Sequence, residues 1–166
     1  MNITLVLGTA RKENNSSKVF DFVEKSITEM GHKVIPVKVE DYLLSYTSTL
    51  SEDGDNKVKI SSWAEAVGQS EAVIFISPEY NHSYPGELKL LIDSLYDEYK
   101  GKKAGIIGVS MGPFGGVRVV ELLKLLLLTA NFDVVNETIA VSSIGNGVDE
   151  SRTLKQLESL MKNINE

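Results

Sequence analysis

Three short stretches of this sequence carry side chains that could recognise a ligand. The first, G-T-A-R-K-E-N-N-S-S at Gly8 to Ser17, offers hydroxyls at Thr9, Ser16 and Ser17, amides at Asn14 and Asn15, and one guanidinium at Arg11. Ahead of a helix, such a loop also has unpaired backbone N–H groups and the positive end of a helix dipole, a set that suits a phosphate. It reads equally as an ordinary polar loop in which Ser16 caps the helix. The second, S-P-E-Y-N-H-S-Y-P-G-E-L-K at Ser77 to Lys89, places Glu79, Tyr80, Asn81 and His82 after a proline-fixed backbone. A rigid loop of this kind can turn N–H and C=O groups toward the edge of a planar heterocycle while an aromatic ring covers part of a face. The alternative makes Tyr80 and Tyr84 packing residues and His82 a solvated one. The third, V-S-M-G-P-F-G-G at Val109 to Gly116, has glycines at 112, 115 and 116. They allow backbone to approach a flat ligand, or they only turn the chain before the next helix.

Other chemistries are excluded by composition. The chain of 166 residues has no cysteine, which removes disulfides, thiolate catalysis and cysteine-ligated metal centres. Two histidines, His32 and His82, are too few for a transition-metal cage, so no metal ligands are assigned. A formal net charge of -6 with no run of Lys or Arg lacks the electrostatic footprint of a nucleic-acid binder. Neither G-x-x-x-x-G-K-[ST] nor G-x-G-x-x-G is present, which disfavours a P-loop nucleotide or a dinucleotide held in Rossmann fashion. A single terminal phosphate fits the first loop better. The opening M-N-I-T-L-V-L-G reads as a strand rather than a signal peptide, and Leu122 to Ala130, interrupted by Lys124, is too short for a membrane span. The expected location is the cytoplasm.

The elements between these loops must bring them together. Asn2 to Leu7 is an apolar, β-rich run suited to a strand buried on both faces. Val19, Phe22, Val23, Ile27 and Met30 recur at helical spacing before a glycine stop at Gly31. Lys33 to Val39 is a second strand, nearer an edge because Pro36 removes a donor. Glu40 to Asn56 has no clean period and reads as a long loop over the same edge of the sheet. Ile60, Trp63, Ala64 and Val67 mark a second helix ended by Gly68, followed by a third strand at Ala72 to Ile76. Pro85 opens a third helix with Leu88, Leu91, Ile92 and Leu95 inward. After a turn at Lys100 to Lys103 come a fourth strand, Ala104 to Val109, a fourth helix, roughly Val117 to Thr129, and a fifth strand, Phe132 to Val141. Leu154, Leu157, Leu160, Met161 and Ile164 give the last helix.

Five strand–helix repeats with short, right-handed crossovers predict a single α/β domain over residues 1–166. Its form is a three-layer, doubly wound, five-stranded parallel sheet of flavodoxin-like order 2-1-3-4-5. All three polar loops then leave carboxyl ends of strands, the edge where open α/β sheets bind ligands. The fourth helix is apolar nearly all round, with only Arg118, Glu121 and Lys124 in a polar stripe. A helix of that kind is buried on more than one side, either by flanking loops or by a second copy of the chain.

The residues also carry a family resemblance, from Ile3 to Ile144. The chain resembles the NADPH-dependent FMN reductases, small flavodoxin-like flavoproteins that include quinone, azo-dye and chromate reductases. G-T-A-R-K-E-N-N-S-S-K-V is similar to the family's G-S-x-R-x-x-x-x-S-x-K phosphate loop, with Thr9 in place of serine. P-E-Y-N-H-S-Y-P-G-E-L-K-L-L-I-D matches the P-E-Y-N-x-S-x-P-x-x-L-K-N-x-x-D block, the most specific of the three. V-S-M-G-P-F-G-G resembles the S-x-G-x-x-G-G turn. The Glu40 to Asn56 stretch departs from the family's leucine-proline-leucine pattern.

The resemblance implies that Thr9, Arg11, Ser16 and Ser17, with Asn15 in the same loop, hold an FMN phosphate. It implies that Pro78, Glu79, Tyr80 and Asn81 border the isoalloxazine and that Ser110, Met111 and Gly112 close the other side. The activity implied is hydride transfer from NADPH or NADH to FMN and on to a quinone, azo compound, metal oxyanion or free flavin, by a homodimer or homotetramer. The chemistry would be the cofactor's, with no side chain assigned as catalytic. The rival reading is an electron-carrying flavodoxin without turnover of its own, although such proteins carry a different phosphate loop.

Overall fold

The sheet is built from runs that alternate between two hydrophobic faces. In the computed structural model, which describes residues 1–45 and 54–166, β1 (Asn2–Leu7) directs Ile3, Leu5 and Leu7 to one core cluster and Val6 to the other. Likewise β3 (Ala72–Pro78), buried throughout, sends Ala72, Ile74 and Ile76 one way and Val73 and Phe75 the other. This period of two, with both faces apolar, is what a central parallel strand covered on both sides requires. With β2 (Lys33–Lys38), β4 (Lys103–Val109) and β5 (Asp133–Val141), all pairings are parallel and the order is β2-β1-β3-β4-β5. The flavodoxin-like doubly wound architecture read from the sequence is therefore the one observed.

The helices α1 (Ser16–Glu29) and α5 (Glu150–Asn165) pack on one face through Val19, Phe20, Val23 and Ile27 and through Leu157, Leu160, Met161 and Ile164. On the other lie α2 (Gly54–Gly68), α3 (Gly86–Asp93) and α4 (Val117–Thr129), around Trp63, Leu91, Ile92, Leu123 and Leu127. That second layer has a polar pin. The Trp63 indole donates to the Tyr99 hydroxyl at 2.8 Å, and the hydroxyl donates to the Ile92 carbonyl at 3.0 Å. The Tyr99 ring stacks on Phe132 with centroids 4.3 Å apart. Burial pushes the Tyr99 phenol above its ordinary range, because its anion would have to form away from water.

Three sequence expectations shift. Pro85 stands just ahead of α3, with extended backbone, instead of opening it. Of the stretch read as a long loop, Glu40 to Tyr42 lies in a single 3-10 turn, Val39–Tyr42, and Gly54 to Asn56 belongs to α2; residues 46–53 are outside the described part. In this part of the helix the buried Asn56 amide accepts from the Ser45 N–H at 2.8 Å and donates to the Ser45 carbonyl at 3.0 Å. The third concerns α4. It buries Val119, Val120, Leu123 and Leu127, yet Leu125 is 64% exposed and Leu128 57%, with Leu122 and Val117 also open. Among the described residues no flanking loop covers this face. No helix among them is long and apolar enough to cross a membrane.

Candidate functional site

The carboxyl ends of β1, β3 and β4 release the three polar loops side by side. The first is shaped by its own short polar side chains. Asn14 caps α1: its Oδ1 accepts from the Ser17 N–H at 2.8 Å, and the Ser17 hydroxyl donates to the Asn14 carbonyl at 2.9 Å. Capping thus falls to Asn14 and not to Ser16. The Ser16 hydroxyl makes no hydrogen bond to any described residue, although only 2% of the residue is exposed. No fully buried side-chain N or O atom among the described residues lacks a partner, so this hydroxyl must open into the cleft that Ser16 lines. The N–H groups of Asn14, Asn15 and Ser16 likewise meet no protein acceptor among the described residues, whereas that of Ala10 is held by Glu87 of α3 at 3.0 Å. An open hydroxyl and three N–H groups without a protein acceptor thus belong to residues that line one cleft at the start of α1.

Tyr80 joins the first loop to the second. Its hydroxyl lies 2.8 Å from the Thr9 Oγ1, and the Arg11 guanidinium sits over its ring, 3.8 Å from the centroid. The chain then reverses at once. Asn81 and His82 both have left-handed backbone, with φ of 49° and 66°, and Tyr80 and Ser83 exchange two backbone hydrogen bonds of 2.8 and 3.0 Å. Two successive positive φ values make the tightest hairpin turn, and asparagine is among the few residues that enter this region readily.

Glu79 reaches away from this turn. Its Oε2 accepts from the N–H groups of Arg118 and Val119 at 3.2 and 3.3 Å, and its Oε1 lies 3.7 Å from the Arg118 guanidinium and 3.4 Å from the His82 Nδ1. The first turn of α4 contains no acidic residue of its own, so a carboxylate from another loop supplies the negative charge its dipole favours.

The third loop is turned by two of its glycines. Gly115 and Gly116 have φ of 65° and 80°, and a Cβ on Gly115 would stand 2.7 to 2.9 Å from Ala140. Gly112 differs, since a Cβ there would approach only the Ser110 Oγ, at 4.0 Å, and the space beside it is open. The connection after β5 buttresses this loop: Ser143 donates its N–H to the Gly112 carbonyl at 3.0 Å and Ile144 to the Ser110 carbonyl at 3.2 Å. Met111 is 66% exposed, and its sulfur accepts from the Asn15 amide at 3.4 Å, spanning the first and third loops.

Of the residues singled out from the sequence, Arg11, Asn15, Ser16, Pro78, Glu79, Tyr80, Ser110 and Met111 line this one cleft. Thr9 is buried behind it against Tyr80, Ser17 is turned into the helix cap, and Asn81 and Gly112 stand outside the lining. The cleft adds Glu13, Asn14, Val109 and Ile144. Asn14 was legible as a cap signal three residues before Ser17; nothing local marked Ile144, which arrives from the neighbouring strand. Among the described residues, no group of three or more His, Cys, Asp or Glu could hold a metal.

The donor set fits a phosphate, and comparison with known proteins shows the family. Residues 1–146 match the family model for NADPH-dependent FMN reductase. The chain belongs to this family. An NAD(P)H-dependent FMN reductase of Saccharomyces cerevisiae is 26% identical over 161 residues, 87% of this chain and 83% of that protein. A quinone reductase of Escherichia coli is 28% identical over 142 residues, 82% of this chain and 74% of its own. Among solved structures, the NAD(P)H:(acceptor) oxidoreductase FerB of Paracoccus denitrificans superposes with a TM-score of 0.81 at 24% identity, covering 99% of this chain and 95% of its own; that likeness speaks to the fold. Membership makes the chain an oxidoreductase that works with FMN and NAD(P)H.

Proposed function

We propose that this FMN reductase family member holds FMN in the three-loop cleft and passes hydride from NADPH or NADH to a small acceptor. A quinone, an azo compound, a metal oxyanion or free flavin would serve. The observation that carries this reading is that Asn14, Asn15 and Ser16 line the cleft together with Arg11, while the Ser16 hydroxyl and the three backbone N–H groups have no protein partner among the described residues. These donors and the start of α1 would take the phosphate, with Thr9 and Ser17 supporting them from behind. When bound, FMN supplies the hydride chemistry, accepting from the nicotinamide and donating onward. Pro78 and Tyr80 would border one side of the ring, with Ser110, Met111 and the open space at Gly112 on the other. The exposed Asn81–His82 turn would stand at the rim. Each partner would bind in turn on the open side of the cleft, where water supplies protons, so no side chain is assigned as an obligatory acid.

The exposed leucines of α4, with Phe114 at 64% and Tyr96 at 57%, support self-association. A homodimer or homotetramer would cover them. We place the protein in the cytoplasm, where the reduced nicotinamide pool is held, acting as one FMN-binding domain.

The test is steady-state oxidation of NADPH by the FMN-loaded protein alone, with a quinone as acceptor. Sustained turnover supports a reductase. Oxidation that begins only when a second reductase is added would instead identify an electron carrier.

A further inference from the structure

Glu79 lies in the block that resembles flavin-binding segments, yet its carboxylate is engaged with protein. Only 12% of its side chain is exposed. One oxygen takes the N–H groups of Arg118 and Val119, the otherwise unpaired donors at the start of α4; the other faces the Arg118 guanidinium and His82. Helix starts are capped from the immediately preceding residues as a rule. Here the residue preceding α4 is Gly116, which has no side chain, and the acceptor comes from 39 positions earlier, at the end of the neighbouring strand β3. The backbone adds a rung beside it, Glu79 N–H to the Val109 carbonyl at 3.0 Å.

We infer that Glu79 is a positioning residue that clamps the second loop to the third, so that the two walls of the flavin cleft form one rigid body. Resting on the flavin reading above, this assigns Glu79 no contact through its carboxylate with the ring. A loop free to move in the empty protein must be ordered when ligand binds, and a preformed wall avoids that cost. Tyr80 follows Glu79 directly and holds Arg11 and Thr9, so the clamp also sets the rear of the phosphate loop. The charged and titratable groups facing the carboxylate are Arg118 from α4 and His82 from its own loop, and both would be released with it.

The test compares Glu79→Gln and Glu79→Ala with Leu123→Ala, a core truncation in the same helix that lowers stability without touching either loop. Amide hydrogen exchange at Arg118 and Val119 is followed in protein free of flavin, and FMN affinity and visible circular dichroism are followed in the loaded protein. The expected result is faster exchange at both amides in Glu79→Ala, a roughly tenfold weaker FMN affinity with altered flavin dichroism, and partial rescue in Glu79→Gln, whose amide oxygen still accepts. Leu123→Ala should melt earlier with unchanged flavin dichroism. Unchanged exchange would show that the carboxylate does not hold the helix; faster exchange with unchanged affinity and dichroism would show that the clamp does not serve the flavin. Either result overturns the inference. Failure of the wild-type protein to bind FMN would remove the proposed function itself, while the exchange measurement would still report on the clamp.

Discussion

Replacing Arg11 with alanine separates phosphate recognition from ring recognition. The guanidinium lies over the Tyr80 ring, 3.8 Å from its centroid, at the lip of the cleft whose base carries the open Ser16 hydroxyl. A hydrogen bond to a charged group contributes about 1.5–3 kcal/mol net. If Arg11 leaves Tyr80 to meet the phosphate, the exposed cation–π contact it gives up, about 0.5–1 kcal/mol, must be subtracted. The remainder is about 1–2 kcal/mol, so Arg11→Ala should weaken FMN binding roughly 5- to 30-fold. Titration by quenching of flavin fluorescence measures this, and riboflavin, the same ring without phosphate, provides the control. Riboflavin affinity should be the same in Arg11→Ala and wild type, and the difference for FMN should shrink with added salt. A proportional loss for both ligands would show that Arg11 acts on the ring through Tyr80, and no loss for either would remove it from the site.

Other expectations follow from the packing. Tyr99→Phe leaves the buried Trp63 N–H without its acceptor and removes one of two donors to the Ile92 carbonyl, which keeps the Leu95 N–H at 3.5 Å, at a cost of about 1–3 kcal/mol in denaturant unfolding. Because the Tyr99 phenol titrates higher in the folded chain than in the unfolded one, its neutral form stabilises fully below about pH 10, and that contribution falls as the pH rises further. The gap between wild type and Tyr99→Phe should therefore narrow only on the alkaline side. Gly115→Ala forces a side chain into positive φ and against the Ala140 backbone. It should cost about 2–4 kcal/mol and lower the midpoint of thermal unfolding by roughly 5–15 °C. Leu125→Glu places a charge on the open face of α4 and should convert an oligomer to a monomer in light scattering; a wild-type monomer at micromolar concentration would refute self-association.

The fold was legible because its central strands β1, β3 and β4 are buried on both sides, so runs such as Ala72 to Ile76 stand out from the amphipathic helices between them. The start of α2 was not. Gly54, Asp55 and Asn56 have the composition of a turn, and the tertiary pairing of Asn56 with Ser45 is not written in their local sequence. The site was legible as three loops on one edge, and as a family pattern, because both follow from chain order. Which polar side chains face the cleft was not legible, because identical groups have different partners. Ser16 opens inward while its neighbour Ser17 is drawn into the Asn14 cap, and Thr9 is held behind by Tyr80. Glu79 shows the same limit, since its partner at the start of α4 lies 39 residues away in sequence.

The most direct measurement of the central claim is the visible spectrum of the protein, desalted after incubation with FMN and then given NADPH without oxygen. A flavin spectrum that stays with the protein and bleaches on addition of NADPH is the expected result. A protein that retains no flavin, and binds none on titration, would contradict it.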